Sequence, residues 1–222
     1  MKPISWVGDS LKACGIPFHS FGVTDDLPAL LARLQVRDFD VAFNLYEGTA
    51  DRPVTEVYFT ALLEWLGIAH TGCPSFTLSV ARSKPVAKRL FQSAGIPTAE
   101  FTEVTTPDVT DWTAFPAFVK PATEDASVGI DQGSVVNSPD ELRARVRFVL
   151  ENYGPPVMVE RYIPGREVQV SLIDLKGDDR PAVLPFAEIA FTPPTDGRRW
   201  PIYTYTAKWH EESDEYKQAP VV

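Results

Sequence analysis

Residues 118–122 (FVKPA), followed by residues 124–130 (EDASVGI), are the stretch that is most informative about the fold. The first segment is typical of a short apolar strand that carries one lysine, Lys120, and stops at a proline. The second is a loop of mostly small residues that ends near Gly129. A lysine leaving a buried strand beside such a loop is well placed to meet phosphate oxygens, and the loop's backbone N–H groups can close over them. The stretch therefore predicts a phosphate-binding strand and loop.

Composition limits the classes of protein to consider. The 222 residues suffice for one large domain or two small ones, and 44% hydrophobic with 23% charged residues is ordinary for a globular protein. A net charge of −9 argues against nucleic acid as a partner. No apolar run approaches the ~20 residues that cross a bilayer. We therefore expect no membrane partner, and because Cys14 and Cys73 have no metal or redox spacing, we expect a cytoplasmic location.

The first half of the chain alternates between helical and strand patterns. Helices are predicted at 26–35, 54–66 and 83–93, and strands at 39–45 (FDVAFNL) and 68–70. In the first helix, Leu27, Leu30 and Leu34 fall on one face. The strand at 39–45 is apolar throughout, as in a parallel sheet that is covered on both faces. This half is therefore predicted to be an α/β domain with a buried parallel sheet.

The second half has a different character, because strands predominate in it. Strands are predicted at 101–104, 118–120, 157–162, 168–174 and 183–189, with a helix at 139–151. We therefore expect an α+β domain over residues 97–222, behind an α/β domain over residues 1–96. The boundary falls near the segment 95–97 (GIP), where glycine and proline interrupt the preceding helix.

Three motifs together carry a resemblance to a known family. They are 83–85 (SKP) at the start of a helix, 118–122 (FVKPA), and 157–167 (VMVERYIPGRE). In this order they resemble the ATP-grasp superfamily, and most closely the D-alanine–D-alanine ligase branch and its ligase-like relatives. The resemblance implies a pre-ATP-grasp-like α/β domain with a parallel sheet, followed by an α+β ATP-grasp domain. Both domains are expected to be incomplete, since the family's leading strand and its C-terminal metal-binding strands have no counterpart here.

The resemblance also implies roles for cationic and loop residues. Lys120 matches the lysine that contacts adenine and the α-phosphate, and Lys84 matches one that reaches the nucleotide phosphates. Lys208, in a segment resembling the family's mobile active-site loop (203–209), matches a lysine aimed at the γ-phosphate. Ser127 matches a phosphate-contacting position. The alternative for each lysine is a solvated side chain, although Lys84 at a helix start is favoured there only if an anion is near.

A second set of residues is implied to hold the nucleoside. Glu160 would accept a hydrogen bond from the adenine amino group, and the backbone of Tyr162 and Ile163 would complete the base contacts. Glu167 would hold the ribose hydroxyls, which suits a carboxylate because it accepts from two donors at once. The alternative for Glu160 is a strand-edge charge facing water.

Some residues depart from the D-alanine ligase pattern. Ala126 stands where those enzymes carry a serine, and Trp209 replaces the usual tyrosine. Together with the segment 44–48 (NLYEG), they are more typical of the ligase-like relatives. Glu47 could face an amino-acid substrate or could be a turn residue before Gly48. These departures bear on the D-alanine substrate and leave ATP binding unaffected.

By resemblance, the chain is interpreted as an ATP-dependent carboxylate–amine ligase that acts through an acyl-phosphate. Mg²⁺ would bridge the β- and γ-phosphates, but no metal ligand is predicted in this chain, and we expect the chain alone to be inactive. Peptidoglycan synthesis and a homodimer are implied only by the family. Two alternatives stay open: a non-catalytic nucleotide-binding or interaction module, and a plain α/β domain with unrelated lysines.

Overall fold

The structure is a computed structural model that describes residues 2–49, 51–174, 179–192 and 199–222. The chain divides into two compact units, Met1–Ala81 and Arg82–Val222. Within the described ranges, no helix is both long and apolar enough to span a membrane. The assignment of domains to residues 1–96 and 97–222 stays a prediction.

The first unit is mainly helical. Its helices are α1 (Lys2–Ala13), α2 (Leu27–Gln35), α3 (Thr55–Trp65) and α4 (Ser75–Arg82). The predictions of α2 and α3 are confirmed within one or two residues. Helix α2 begins after Asp26, whose side chain accepts a hydrogen bond from the backbone N–H of Ala29 at 3.0 Å and so satisfies a free donor of the first turn. The core of this unit joins Leu34 of α2 to Leu63 of α3, both fully buried.

The parallel sheet predicted for the first unit is reduced to one contact. Among the described residues, the segments 39–45 and 68–70 are joined by a single parallel bridge, between Ala42 and His70. The prediction that 39–45 is a buried strand is wrong, since Val41 is 54% and Phe43 51% exposed. An apolar strand is buried only when neighbours cover it, and one bridge covers only the face around Ala42.

The second unit is built on a four-stranded antiparallel sheet. Its first elements are α5 (Lys84–Ser93), β1 (Phe101–Val104), β2 (Ala117–Pro121), β3 (Val135–Val136), α6 (Pro139–Tyr153) and β4 (Val157–Arg161). The strand order is β1-β4-β2-β3, and every neighbouring pair is antiparallel. The strands predicted at 101–104, 118–120 and 157–162 and the helix at 139–151 are thereby confirmed.

The two faces of this sheet differ in chemistry. Alternate residues of β2 and β4, including Val119 and Val159, are fully buried and join the apolar residues Val146 and Val149 of α6 in one core. Because successive side chains of a strand point to opposite faces, Lys120 projects away from that core. Helix α6 is held at its start by Ser138, whose hydroxyl accepts from the N–H of Glu141.

Two predicted strands are each interrupted in the structure. The segment 168–174 overlaps β5 (Glu167–Gln169) and contains β6 (Leu172–Ile173), and the segment 183–189 overlaps β7 (Ala182–Val183) and contains β8 (Ala187–Ile189). Strand β5 pairs with β8, and β6 pairs with β7. Three residues separate β7 from β8 but only two separate β5 from β6, so the register shifts by one. Pro185 lies in the longer connection, where it has no N–H to continue the ladder.

The segment 203–209, predicted as a loop, is helical over most of its length. It forms α7 (Tyr205–Trp209), and α8 (Asp214–Lys217) follows. Thr204 explains the helix, because its hydroxyl accepts from the N–H of Ala207 at 3.0 Å while donating to Glu215 at 2.5 Å. A threonine at this position is a favoured helix start, which the loop interpretation overlooked.

Candidate functional site

A cavity of about 360 Å³ opens on the polar side of the sheet in the second unit. Six of the predicted site residues line it: Lys120, Ser127, Glu160, Tyr162, Ile163 and Glu167. Strand β2 supplies the lysine, and β4 with the chain that follows it supplies the glutamates. The cavity therefore brings together residues that are up to 47 positions apart in the sequence.

Glu160 is the centre of a partly buried ion-pair cluster. Its Oε1 accepts from Lys120 Nζ at 2.5 Å, and its Oε2 accepts from Lys88 Nζ at 2.9 Å. The three side chains are only 11–17% exposed. Burial raises the pKa of Glu160, but Lys120 and Lys88 outweigh that effect and hold the pKa below its usual value. The carboxylate is therefore kept ionised, with one lysine on each oxygen.

Lys84 lies close enough to Lys120 for the two charges to interact. Its ammonium group donates to the carbonyl oxygen of Glu124, and its backbone N–H donates to the carbonyl of Ala122 at 3.1 Å. Burial, reinforced by repulsion from Lys120, lowers the pKa of Lys84 to about 8. A half-buried lysine with a lowered pKa favours an anion beside it, because the anion offsets both effects.

Glu167 stands at the start of β5 and also lines the cavity. Burial raises the pKa of its carboxyl group, against the attraction of Lys120 and Lys208. Lys208, on α7, is thereby placed within electrostatic reach of the cavity, with its ammonium group 5.5 Å from the ring centre of Trp209. The two glutamates thus differ, since only Glu160 is held by direct lysine contacts.

The loop after β2 has a constrained backbone. Ala126 and Ser127 have positive φ angles of 51° and 64°, which are uncommon for residues other than glycine. Gly129 also has a positive φ, of 76°, and a Cβ there would lie 2.6 Å from Cγ of Pro121. Only glycine fits this close approach to the end of β2. Glycine at position 129 therefore lets the loop pass close to the end of β2.

Three hydrogen bonds join this loop to the segment around α7. Ser127 Oγ donates to the carbonyl oxygen of Tyr203 at 2.8 Å, and the indole N–H of Trp209 donates to that of Ala126 at 3.0 Å. The backbone N–H of Tyr205 donates to the carbonyl of Ile130, also at 3.0 Å. The indole of Trp209 thus binds a backbone carbonyl of the loop, so the contact needs no side-chain hydroxyl at position 126.

Besides the lining arginines Arg161 and Arg166, the sequence interpretation missed two buried cations near the site, Lys88 and Arg145. Lys88 could have been found, because it is four residues after Lys84 and so lies on the same face of helix α5. Arg145, 9% exposed on α6, donates to the carbonyl of Gly129 and to the carboxylate of Asp131, each at 2.9 Å. Nothing in the sequence around Arg145 indicates that it anchors the end of the loop.

The charged residues suit an anionic ligand. Lys88 and Lys120 share the single carboxylate of Glu160, so positive charge is in excess there, whereas the lining arginines Arg161 and Arg166 already pair with Glu100 and Glu188. Lys84 adds a further positive charge next to Lys120. Within the described parts of the chain, no three His, Cys, Asp or Glu residues come together as a metal site would require. These residues therefore do not fit Mg²⁺, and no chemical step is assigned to a metal held by them.

Comparison with known proteins gives three kinds of match. Residues 90–221 match the family described as D-ala D-ala ligase C-terminus. A D-alanine–D-alanine ligase of Geobacter sulfurreducens is 33% identical over 169 residues, which are 74% of this chain and 50% of that protein. The solved D-alanyl-alanine synthetase A of Vibrio cholerae superposes with a TM-score of 0.61 at 20% identity, over 83% of this chain and 52% of that one.

A further solved structure is the D-alanine–D-alanine ligase of Bacillus anthracis complexed with ATP. It gives a TM-score of 0.55 at 24% identity, over 79% of this chain and 56% of that one. At these identities the two superpositions support the fold. The chain spans about half the length of these relatives.

Proposed function

Because the chain belongs to the D-alanine–D-alanine ligase family, we propose that it binds ATP in the 360 Å³ cavity and takes part in ATP-dependent carboxylate–amine ligation. In such a reaction a carboxylate oxygen attacks the γ-phosphorus and ADP leaves, giving an acyl-phosphate. An amine then attacks the acyl carbon, phosphate leaves, and an amide forms. Most of the protein's contribution is to position the reactants and to offset their negative charge.

One observation carries this proposal: a single cavity combines Lys120, Glu160 and Glu167 with a small-residue loop. Lys120 and Lys84 would offset the charge of the phosphates, which counts for more in a cleft with little water. Glu160 and the backbone at Tyr162 and Ile163 would bind adenine. Glu167 would hold the ribose.

The remaining roles belong to the loop after β2 and to the segment around α7, which are joined by hydrogen bonds. Ser127 would bind phosphate through its loop, and Lys208 would approach the γ-phosphate. The bonds from Ser127 to Tyr203 and from Trp209 to Ala126 would keep both segments over the nucleotide and exclude water, which otherwise hydrolyses an acyl-phosphate. The proposal for the whole protein also includes the family's substrate D-alanine and its Mg²⁺. It further includes a homodimer, a cytoplasmic location and a complete parallel sheet in the first domain.

The test is nucleotide-induced stabilisation of the 222-residue chain. ATP is expected to raise the melting temperature, and Lys120→Met and Glu160→Ala are each expected to weaken ATP binding by about tenfold or more, as for the loss of a contact to a charged group. Lys12→Met is the matched control, because Lys12 is 69% exposed beside Asp9 in the first unit.

If neither site variant changes the response to ATP, the assigned site is wrong. The non-catalytic module is not favoured, since the relatives reported above are ligases and synthetases. A measurement of ATP consumption coupled to amide formation from D-alanine separates the ligase from the module. It is made on a form of the chain that spans the full length of its relatives, and ATP binding without such turnover would favour the module.

A further inference from the structure

Lys88 is a charged residue that pairs with Glu160 but has no part in the proposed binding of the nucleotide. It lies on α5 and is 9% exposed, and its ammonium group is 2.9 Å from Oε2 of Glu160. The same ammonium group lies 5.1 Å from the ring centre of Phe101. A lysine is seldom buried unless it is paired, so this contact accounts for its position. Its partner is the residue proposed to recognise adenine.

The geometry at Glu160 separates the tasks of two lysines. Lys120 holds Oε1 on the cavity side and is itself a lining residue, whereas Lys88 holds Oε2 from helix α5. When a phosphate approaches Lys120, part of that lysine's charge is directed to the phosphate. Glu160 would then lose most of its compensation in a partly buried place, unless a second cation stays with it. Lys88 is that second cation.

The orientation of a carboxylate decides which purine it accepts. An ionised carboxylate only accepts hydrogen bonds, so it attracts the 6-amino group of adenine and repels the 6-oxo group of hypoxanthine or guanine. This discrimination requires the carboxylate to stay ionised and in place, because a protonated carboxyl group could donate to an oxo group and a displaced carboxylate could no longer accept from the amino group.

We propose that Lys88 is a positioning residue that fixes Glu160 and thereby gives the nucleotide site its preference for a 6-amino purine. The inference rests on the proposed function, since Glu160 must face the base. Lys88 itself touches no part of the nucleotide. Its effect is expected on the choice between purines, beyond any effect on folding.

The experiment compares ATP with inosine triphosphate, which differs from it by an oxo group in place of the 6-amino group. Titration calorimetry of the 222-residue chain is expected to show tighter binding of ATP by about tenfold or more. Lys88→Met is expected to reduce that ratio by about tenfold. A role in stability alone would lower both affinities in proportion and leave the ratio unchanged.

Arg89→Met is the matched control. Arg89 is the next residue on the same helix, it also lies over the Phe101 ring at 6.0 Å, and its side chain is 58% exposed beside Glu103. The substitution Arg89→Met removes one positive charge from α5, as Lys88→Met does, but leaves Glu160 untouched. The ratio of the two nucleotide affinities should therefore stay at the wild-type value. If Lys88→Met does not fold, Lys88→Gln serves instead, because its shorter side chain leaves Oε2 without a partner and the same loss is expected.

The outcomes separate the two proposals. A chain that binds neither nucleotide overturns the proposed function and this inference with it. A wild-type chain that binds ATP and inosine triphosphate equally, or a folded Lys88 variant that keeps the wild-type ratio, overturns the inference while leaving ATP binding intact.

Discussion

The two faces of the β1–β4–β2–β3 sheet are made by the same strands but are built for different purposes. On one face Val119 and Val159 are fully buried and pack in the α6 core. On the other, Lys120 and Glu160 line the cavity as an ion pair. Because the residues alternate along each strand, changes one position apart should have different consequences. The apolar face is expected to determine stability, and the charged face ligand binding.

The largest effect is expected from the apolar face. Val159→Ala removes two methyl groups from a position with no exposed surface, so it should lower the free energy of unfolding by about 2 kcal/mol. Urea unfolding measures this loss. Val168→Ala makes the same chemical change at a position that is 41% exposed, and its effect should stay within about 0.5 kcal/mol.

The affinity for ATP is the second quantity in which variants of the two faces should differ. The folded fraction of Val159→Ala should bind ATP as the wild type does, whereas Lys120→Met should lose affinity at little cost in stability. Equal loss of affinity in both variants would mean that the two faces are not independent.

Gly129 is the position where the two faces are coupled. A Cβ there would lie 2.6 Å from Cγ and 2.8 Å from Cδ of Pro121, the residue that ends β2. Gly129→Ala should therefore displace the loop that carries Ser127, destabilising the chain by about 1 to 2 kcal/mol and weakening ATP binding as well. Thermal unfolding and titration with ATP measure the two effects.

Gly154 provides a matched control for the backbone strain. It has the same φ of 76°, but a Cβ added there meets nothing within 4 Å. With ψ at 172°, Gly154→Ala should thus have only the cost of this glycine-type backbone conformation, about 1 to 3 kcal/mol, and no effect on ATP binding. If the two alanine variants behaved alike in both measurements, the close contact with Pro121 would be unimportant.

The sheet and most of its charged face are predictable from sequence because their signals are local. Val119 and Lys120 alternate within a short strand, and the segment 157–162 has the same apolar pattern around Glu160. These local patterns do not specify which strands pair, and the structure pairs β2 with β4. The placement of Lys120 and Glu160 in one cavity follows from that pairing, since Phe118 lies directly opposite Glu160.

The features that sequence reasoning missed depend on distant partners. The spacing to Lys84 places Lys88 on the same helix face, but its pairing with Glu160, 72 positions away, is not specified by the sequence near either residue. The segment 39–45 has the composition of a buried strand, but burial is a property of its neighbours, and Phe43 remains exposed. Pro185, by contrast, was a local signal for the interrupted strand that could have been read.

The smallest effect expected is a pH dependence in which the stability of the chain and its affinity for ATP change in opposite directions. The pKa of Lys84 is about 8 in the folded chain, below the ordinary value of 10.5 for a lysine. Between these two values the unfolded chain holds more protons, so the contribution of Lys84 to stability grows as pH rises from about 8. Binding has the opposite sign, because phosphate favours the protonated lysine.

ATP affinity should therefore fall by up to about tenfold between pH 7.5 and 9, where the terminal phosphate, with a second pKa of about 6, is already ionised. Calorimetry at pH 8 in buffers of different ionisation enthalpy should show proton uptake on binding. Lys84→Met should abolish the uptake, and Lys217→Met, at a lysine with a 59% exposed side chain, should preserve it. Binding without proton uptake in the wild type would show that Lys84 does not face the phosphates. Lys84 would then belong with the groups that determine stability, although it lies beside the charged face of the sheet.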